Sequence, residues 1–153
     1  MDKTSFVDFQ VVSNISGTKK EEVIETLVNN LDENNYLASK EVFLQDVLER
    51  ENTLPTYIGY EIGLPHSQSE GVNYSSVTIG RLEEEIKWTE EGEEVNTVFL
   101  IAVPNNNEDN LHLKILSKLS RLLMHEEFRN EVRNLDENAL IATLNEKVKG
   151  ELE

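Results

Sequence analysis

The sequence predicts a layered α/β domain. Three observations carry that prediction. Some segments repeat apolar residues at spacings of three and four, others alternate them, and one apolar run, Asn96–Val103, does neither. A run of that last kind reads as a strand buried on both faces, and such a strand needs helices on either side of its sheet. The 153-residue length suits a real core, so residues 1–153 are read as a single domain. No repeat, low-complexity tract or linker interrupts them.

Ser5–Val12 alternates Val7, Phe9 and Val11 and is expected to be the first strand. Ser13–Gly17 is a loop, and Thr18-Lys19-Lys20-Glu21 has the form of a capping box opening a helix. That helix carries the stripe Val23, Ile24, Leu27, Val28 and Leu31, and Asp32–Asn35 breaks it. Ser39 caps a second helix with Phe43, Leu44, Val47 and Leu48 inward, expected to run to about Arg50 before Pro55 forbids continuation. Tyr57–His66 holds two glycines and a proline, so it reads as a short extended piece ending in a rigid turn that presents His66. Ser67–Gly71 reads as a mobile polar loop.

Ser75–Leu82 and Ile86–Thr89 are read as two strands, followed by a charged turn at Glu90–Glu94 and by the central strand, which Pro104 ends. Past a polar loop at Asn105–Asn110, Leu111 to about His125 is the strongest helix, with Leu111, Ile115, Leu119, Leu122 and Leu123 in one stripe. Glu126–Asn134 either continues it or begins another. Asp136 caps a last helix with Leu140, Ile141, Leu144 and Val148 inward.

The formal charge is −16, from 30 acids against 14 bases, a field that repels nucleic acid and anionic membrane. The absence of cysteine excludes disulfides, thiolate nucleophiles and zinc–cysteine sites. The longest apolar run, Val98–Val103, is too short to span a bilayer, and Met1-Asp2-Lys3-Thr4 lacks a signal-peptide core. A cytoplasmic protein is expected.

Three histidines remain as candidates. His125, beside Arg121 and two glutamates near a helix end, reads as structural. His112 falls in the first turn of its helix, where free backbone N–H groups attract anions and a neutral imidazole can donate to an oxyanion; a core-edge histidine is the plainer reading. His66, after Pro65 and before a polar loop, reads as an exposed, oriented imidazole. Such a ring is a nucleophile near neutral pH and can accept a phosphoryl group on nitrogen. Arg50, Ser75 and His112 have the chemistry to hold the phosphate oxygens. No metal-ligand spacing, G-x-S-x-G, phosphate loop or dinucleotide fingerprint is present, so neither metal nor nucleotide cofactor is expected.

Arg50-Glu51, Pro55-Thr56, Gly59 and Ile62-Gly63-Leu64-Pro65-His66 together resemble the active-site signature of the fructose/mannitol-type enzyme IIA of the bacterial sugar phosphotransferase system. The likeness continues through Ser76–Arg81, Val98–Pro104 and His112–Leu123, covering roughly Val12 to Lys147. The resemblance implies a three-layer α/β/α sandwich with a mixed, about five-stranded sheet. It implies a phosphoryl carrier that takes phosphate from phospho-HPr onto His66 and passes it to a cysteine of enzyme IIB, which serves the membrane subunit IIC. By the same resemblance His112 and Arg50 assist at phosphate, Ser75 supplies a hydroxyl contact, and no cofactor or metal is used.

Two departures stand out. The family commonly has glycine after the phosphorylated histidine, where this chain has Ser67, and Tyr60-Glu61 replaces small residues before the motif. Glu61 is expected on a strand, turned away from the phosphate. The alternative function is a regulatory module, nitrogen-type or transcription-linked, whose histidine phosphorylation is a signal. A phosphorylation-dead homologue is a third reading, against which Arg50, His66 and His112 stand together.

Overall fold

A computed structural model of the chain describes residues 7–17, 19–105 and 111–149, the side chains of 111, 112 and 149 excepted. Among them five strands form one mixed sheet: β1 Asp8–Ile15, β2 Ile62–Gly63, β3 His66–Ser69, β4 Ser76–Lys87 and β5 Glu94–Pro104. The order is β1-β4-β5, with β2 and β3 both pairing the far edge of β5. Only β4 and β5 run antiparallel; the other pairs are parallel. Helices α1 Lys20–Glu33 and α2 Lys40–Thr53 cover one face. Helices α3 Leu111–Leu122, α4 Glu126–Asn134 and α5 Glu137–Leu144 cover the other, and a π-helical turn follows at Asn145–Lys149. The chain is thus the expected three-layer sandwich.

The alternation in β5 explains the two cores. Phe99, Ile101 and Val103 face α3–α5, whereas Val98, Leu100 and Ala102 face α1 and α2. All six are fully buried, which is why no polar residue interrupts the run.

Several boundaries differ from expectation. The first strand lies further along, at Asp8–Ile15, where it pairs with β4. Thr18 lies outside the described residues; the N-cap of α1 is Lys19, whose N–H donates to Glu22 Oε1 at 3.1 Å, so the reaching carboxylate is Glu22 rather than Glu21. Helix α2 runs past Arg50 to Thr53, because Pro55 drives only its immediate predecessor, Leu54, out of the helical region, and Leu54 is extended. The two strands expected from Ser75 to Thr89 are one strand, β4, irregular between Arg81 and Ile86 where its acidic residues break the alternation. The expected loop at Ser67–Gly71 is instead mostly strand: β3 pairs Ser67, Gln68 and Ser69 with Ala102, Val103 and Pro104. Backbone pairing outweighs its polar composition here. Ser39 and Asp136 cap as expected, accepting from Val42 N at 3.3 Å and Ala139 N at 2.7 Å. His125 separates α3 from α4 with an extended backbone, so Glu126 begins a new helix.

Candidate functional site

His66 opens β3 and pairs with Ile101 of β5, which pairs in turn with Val77 of β4. Residues in register share a face, so His66 lies on the α3 side of the sheet with Ile101 and Val77. Its Nδ1 lies 2.9 Å from the Leu64 carbonyl oxygen. A carbonyl only accepts, so Nδ1 carries the proton in the neutral ring and Nε2 keeps its lone pair. Burial pushes the ring's pKa below the ordinary histidine value; the Leu64 bond opposes that, Arg50 reinforces it and Glu51 opposes it. The ring is therefore neutral at physiological pH. Nε2 has no hydrogen-bond partner among the described residues.

His66 is only 6% exposed, which corrects the expectation of an exposed ring. The cause is β3 itself. Pairing along β5 lays the histidine against the sheet, whereas a loop would have lifted it into solvent.

Arg50 lies in the last turn of α2 and donates from Nη1 to the Leu54 carbonyl oxygen at 3.0 Å. It is close enough to His66 to act on its titration. A cleft of about 530 Å³ runs beside β3, lined by Arg50, Glu49, Ser67, Gln68 and Asn105 among others. Ser69 ties β3 to α2, its Oγ donating to Asp46 Oδ2 at 2.6 Å and accepting from Gly71 N at 3.0 Å. Ser75 immediately precedes β4, and alternation places it on the face of Val77, hence of His66. Its hydroxyl is buried without a partner among the described residues. His112 does fall in the first turn of α3, but its side chain lies outside the described residues. The structure therefore brings Arg50 towards His66 and puts Ser75 on the same face; it does not locate the second ring.

Glu61 is not on a strand. Gly59, Tyr60 and Glu61 all have positive φ, 91°, 56° and 64°, and form a left-handed turn before β2. Arg133 holds that turn, donating from Nη2 to the Tyr60 carbonyl oxygen and lying 3.9 Å from the Glu61 carboxylate. Arg129 stacks on Tyr60 at 3.7 Å. The carboxylate is thus turned towards Arg133 of α4, and the expected strand at Glu61 is a turn instead.

Glu51 is the residue whose place the sequence reading passed over. It is 1% exposed, and both its oxygens accept from Thr56 N, at 3.0 and 2.9 Å. Thr56 Oγ1 also donates to it, and Lys20 Nζ lies 3.5 Å away. A signal existed: Phe43, Val47 and Glu51 recur every four residues, so the third member had to sit on the buried stripe.

Among the described residues no cluster of metal-ligating side chains occurs and no helix is long and apolar enough to cross a membrane.

Comparison with known proteins agrees with this arrangement. Residues 6–147 match the family model described as "Phosphoenolpyruvate-dependent sugar phosphotransferase system, EIIA 2". The chain is 33% identical over 135 residues to the PTS system fructose-specific EIIABC component of Bacillus subtilis (strain 168), covering 87% of this chain but 21% of that protein. It spans 15% of multiphosphoryl transfer protein 1 of Escherichia coli K12, at 32% identity over 83% of this chain. Against the PTS system fructose-like EIIA component of Escherichia coli K12 it is 30% identical over 87% of this chain and 90% of that one. The crystal structure of IIA mannitol from Escherichia coli superposes with a TM-score of 0.73 at 24% identity, covering 88% of this chain and 95% of that one; it shares the fold. The chain belongs to the EIIA 2 family of the phosphoenolpyruvate-dependent sugar phosphotransferase system.

Proposed function

We propose that the chain is a phosphoryl carrier, its 153 residues forming one IIA domain, which accepts phosphate from phospho-HPr on His66 Nε2 and passes it to a cysteine of an enzyme IIB. The observation that carries the proposal is the Nδ1 contact to the Leu64 carbonyl in a ring that burial keeps neutral. It leaves one nitrogen, Nε2, with a lone pair.

The Nε2 lone pair attacks phosphorus as the P–N bond to the donor imidazole breaks, the donor ring leaving with that electron pair. His66 then carries phosphate on Nε2 and a proton on Nδ1, so its ring becomes cationic. The hydrogen bond to the Leu64 oxygen strengthens as that charge develops, which favours the transferred state over the resting one. Arg50 faces the three phosphate oxygens, with His112 as second imidazole and Ser75 as hydroxyl donor. Support for Ser75 is its partnerless Oγ on the His66 face. In the second step a thiolate attacks phosphorus and the electron pair returns to Nε2. No metal or organic cofactor enters either step.

Incubation with phosphoenolpyruvate, enzyme I and HPr tests the reading. It expects acid-labile label on the wild type and none on His66→Ala. Burial of His66 is the observation that weighs most against it, and an unlabelled wild type would overturn it. His112→Ala retains label but transfers it onward slowly, and Arg50→Ala accepts it slowly. Discharge to a IIB domain separates the carrier from the regulatory module, which keeps its label.

A further inference from the structure

We propose that Glu51 is a positioning residue, which clamps the ribbon from Thr56 to Leu64 and through it fixes the tautomer of His66. The inference rests on the reading that Nε2 is the acceptor, and goes beyond it to what holds Nε2 in that state.

A carboxylate sealed from water is costly unless its oxygens are bonded and its charge is matched. Glu51 meets both conditions through Thr56 and Lys20, as described above, yet it does not line the cleft beside β3. What it holds leads to His66. Thr56 O accepts from Leu64 N at 2.9 Å, and the Leu64 oxygen accepts from His66 Nδ1 at 2.9 Å. Between those ends, Tyr57 bridges Gly63 and Ile58 N donates to Ile62 O at 3.2 Å, so residues 56–64 form a narrow two-sided ribbon. One side is fastened at Thr56 by Glu51. The other is fastened at Gly63, where the backbone lies so close to the Trp88 indole that an added Cβ would sit 2.7 Å from Cε2. Lys20 joins the two fastenings: it pairs with Glu51, donates to Trp88 O at 3.2 Å and lies 4.7 Å over the Trp88 ring.

The Leu64 carbonyl is therefore set, through the ribbon, by the Glu51–Lys20 ion pair, neither member of which lines the cleft beside β3. Without Glu51, Thr56 loses acceptors for both its N–H and its O–H, and the ribbon is free to shift. A carbonyl displaced from Nδ1 no longer distinguishes the ring nitrogens, so the proton divides between them and the Nε2 lone pair is lost from part of the population.

The test is nitrogen-15 NMR of the histidine ring in the full chain, wild type against Glu51→Ala and Thr56→Val, with phosphorylation by phospho-HPr measured in parallel. The expected result is a single Nδ1–H tautomer for His66 in the wild type and a mixture in both variants. For Glu51→Ala, kcat for phosphoryl acceptance falls on the order of 10- to 100-fold with KM for the donor unchanged, as misplacement of a reacting group produces. A His66 that keeps one Nδ1–H tautomer in folded Glu51→Ala overturns the proposal. Should Glu51→Ala not fold, Thr56→Val, which removes one hydroxyl, decides on the same spectrum. A wild type that takes no phosphate ends the carrier reading alone, because the tautomer comparison still judges the clamp.

Discussion

Gly63→Ala tests the packing that the clamp depends on. The added methyl would meet Trp88 at 2.7 Å from Cε2, 2.9 Å from Cζ2 and 3.0 Å from Nε1. Carbon atoms pack best at roughly 3.5–4.0 Å, so the nearest contact is about 1 Å too short. Trp88 has little freedom to yield: it is 3% exposed and carries Lys20 on its ring. Overpacking of this kind costs about 1–3 kcal/mol. Three ring atoms are struck at once, which favours the middle of the range, about 2 kcal/mol, or roughly a 30-fold loss in the folding equilibrium. Trp88 is the only tryptophan, so urea unfolding followed by its fluorescence reports both stability and the indole's surroundings. The midpoint should fall at unchanged slope. In a Trp88→Leu background, followed by circular dichroism, the same substitution should cost at least ~0.5 kcal/mol less, because the two sites are in contact. Wild-type stability within about 0.5 kcal/mol, with unshifted emission, would refute the close approach.

His66, buried neutral, takes up fewer protons when folded than when unfolded as pH falls below 6.5. Its contribution is present above the unfolded value and is lost as pH falls towards the depressed folded one, so the stability of wild type relative to His66→Gln should decline between about pH 7 and pH 5; a constant difference across that range would contradict the burial effect. Phe43→Ala, at a fully buried side chain of α2, should cost about 3–5 kcal/mol in urea unfolding, and a loss under about 1 kcal/mol would mean that the site collapses. Tyr36, pushed up to about 12 from 10.0 by burial first and then by its bond to Asp8 Oδ2 at 2.7 Å, should give a late tyrosinate step in an absorbance titration. That step should vanish in Tyr36→Phe and come earlier in Asp8→Asn; the same titration curve for Asp8→Asn would remove Asp8 as a cause.

The helices and the central strand were legible because their periodicity is a direct image of burial. Val23 to Leu31 reads as a stripe, and Val98 to Val103 is apolar throughout because both faces of β5 are covered. β3 was not legible. His66-Ser67-Gln68-Ser69 has no apolar residue, and its strand character comes from partners on β5 more than thirty positions away. The burial of His66 was missed for the same reason, since a loop exposes what a strand covers. The boundary between α3 and α4 hung on one extended residue, His125, whose conformation no periodicity reports. Of the candidate site, the motif names Arg50, Glu51 and His66 alike, but the burial of Glu51 was hidden by a habit of reading charge as surface. Its helical spacing from Phe43 and Val47 said otherwise.

The arrangement also bears on how an acidic protein keeps an imidazole neutral and, in the proposed carrier role, receives a phosphoryl group. A net charge of −16 favours protonation of any histidine and repels phosphate. Arg50 and Glu51 are adjacent in a helix, so their side chains leave it about 100° apart. One enters the buried stripe and the other lines the cleft beside β3. The inward carboxylate is held by Thr56 and matched by Lys20, so its pull on the ring proton is outweighed by burial. The outward guanidinium is held by a carbonyl, that of Leu54, and among the described residues it has no carboxylate partner. Exchanging a neutral acceptor for phosphoryl oxygens gains a charge-assisted bond without breaking an ion pair. An Arg50 already paired to one of the 30 acids would have to give up that partner first. On the proposed carrier reading, an arginine without a carboxylate partner among the described residues is what lets so negative a chain attract phosphate at one place.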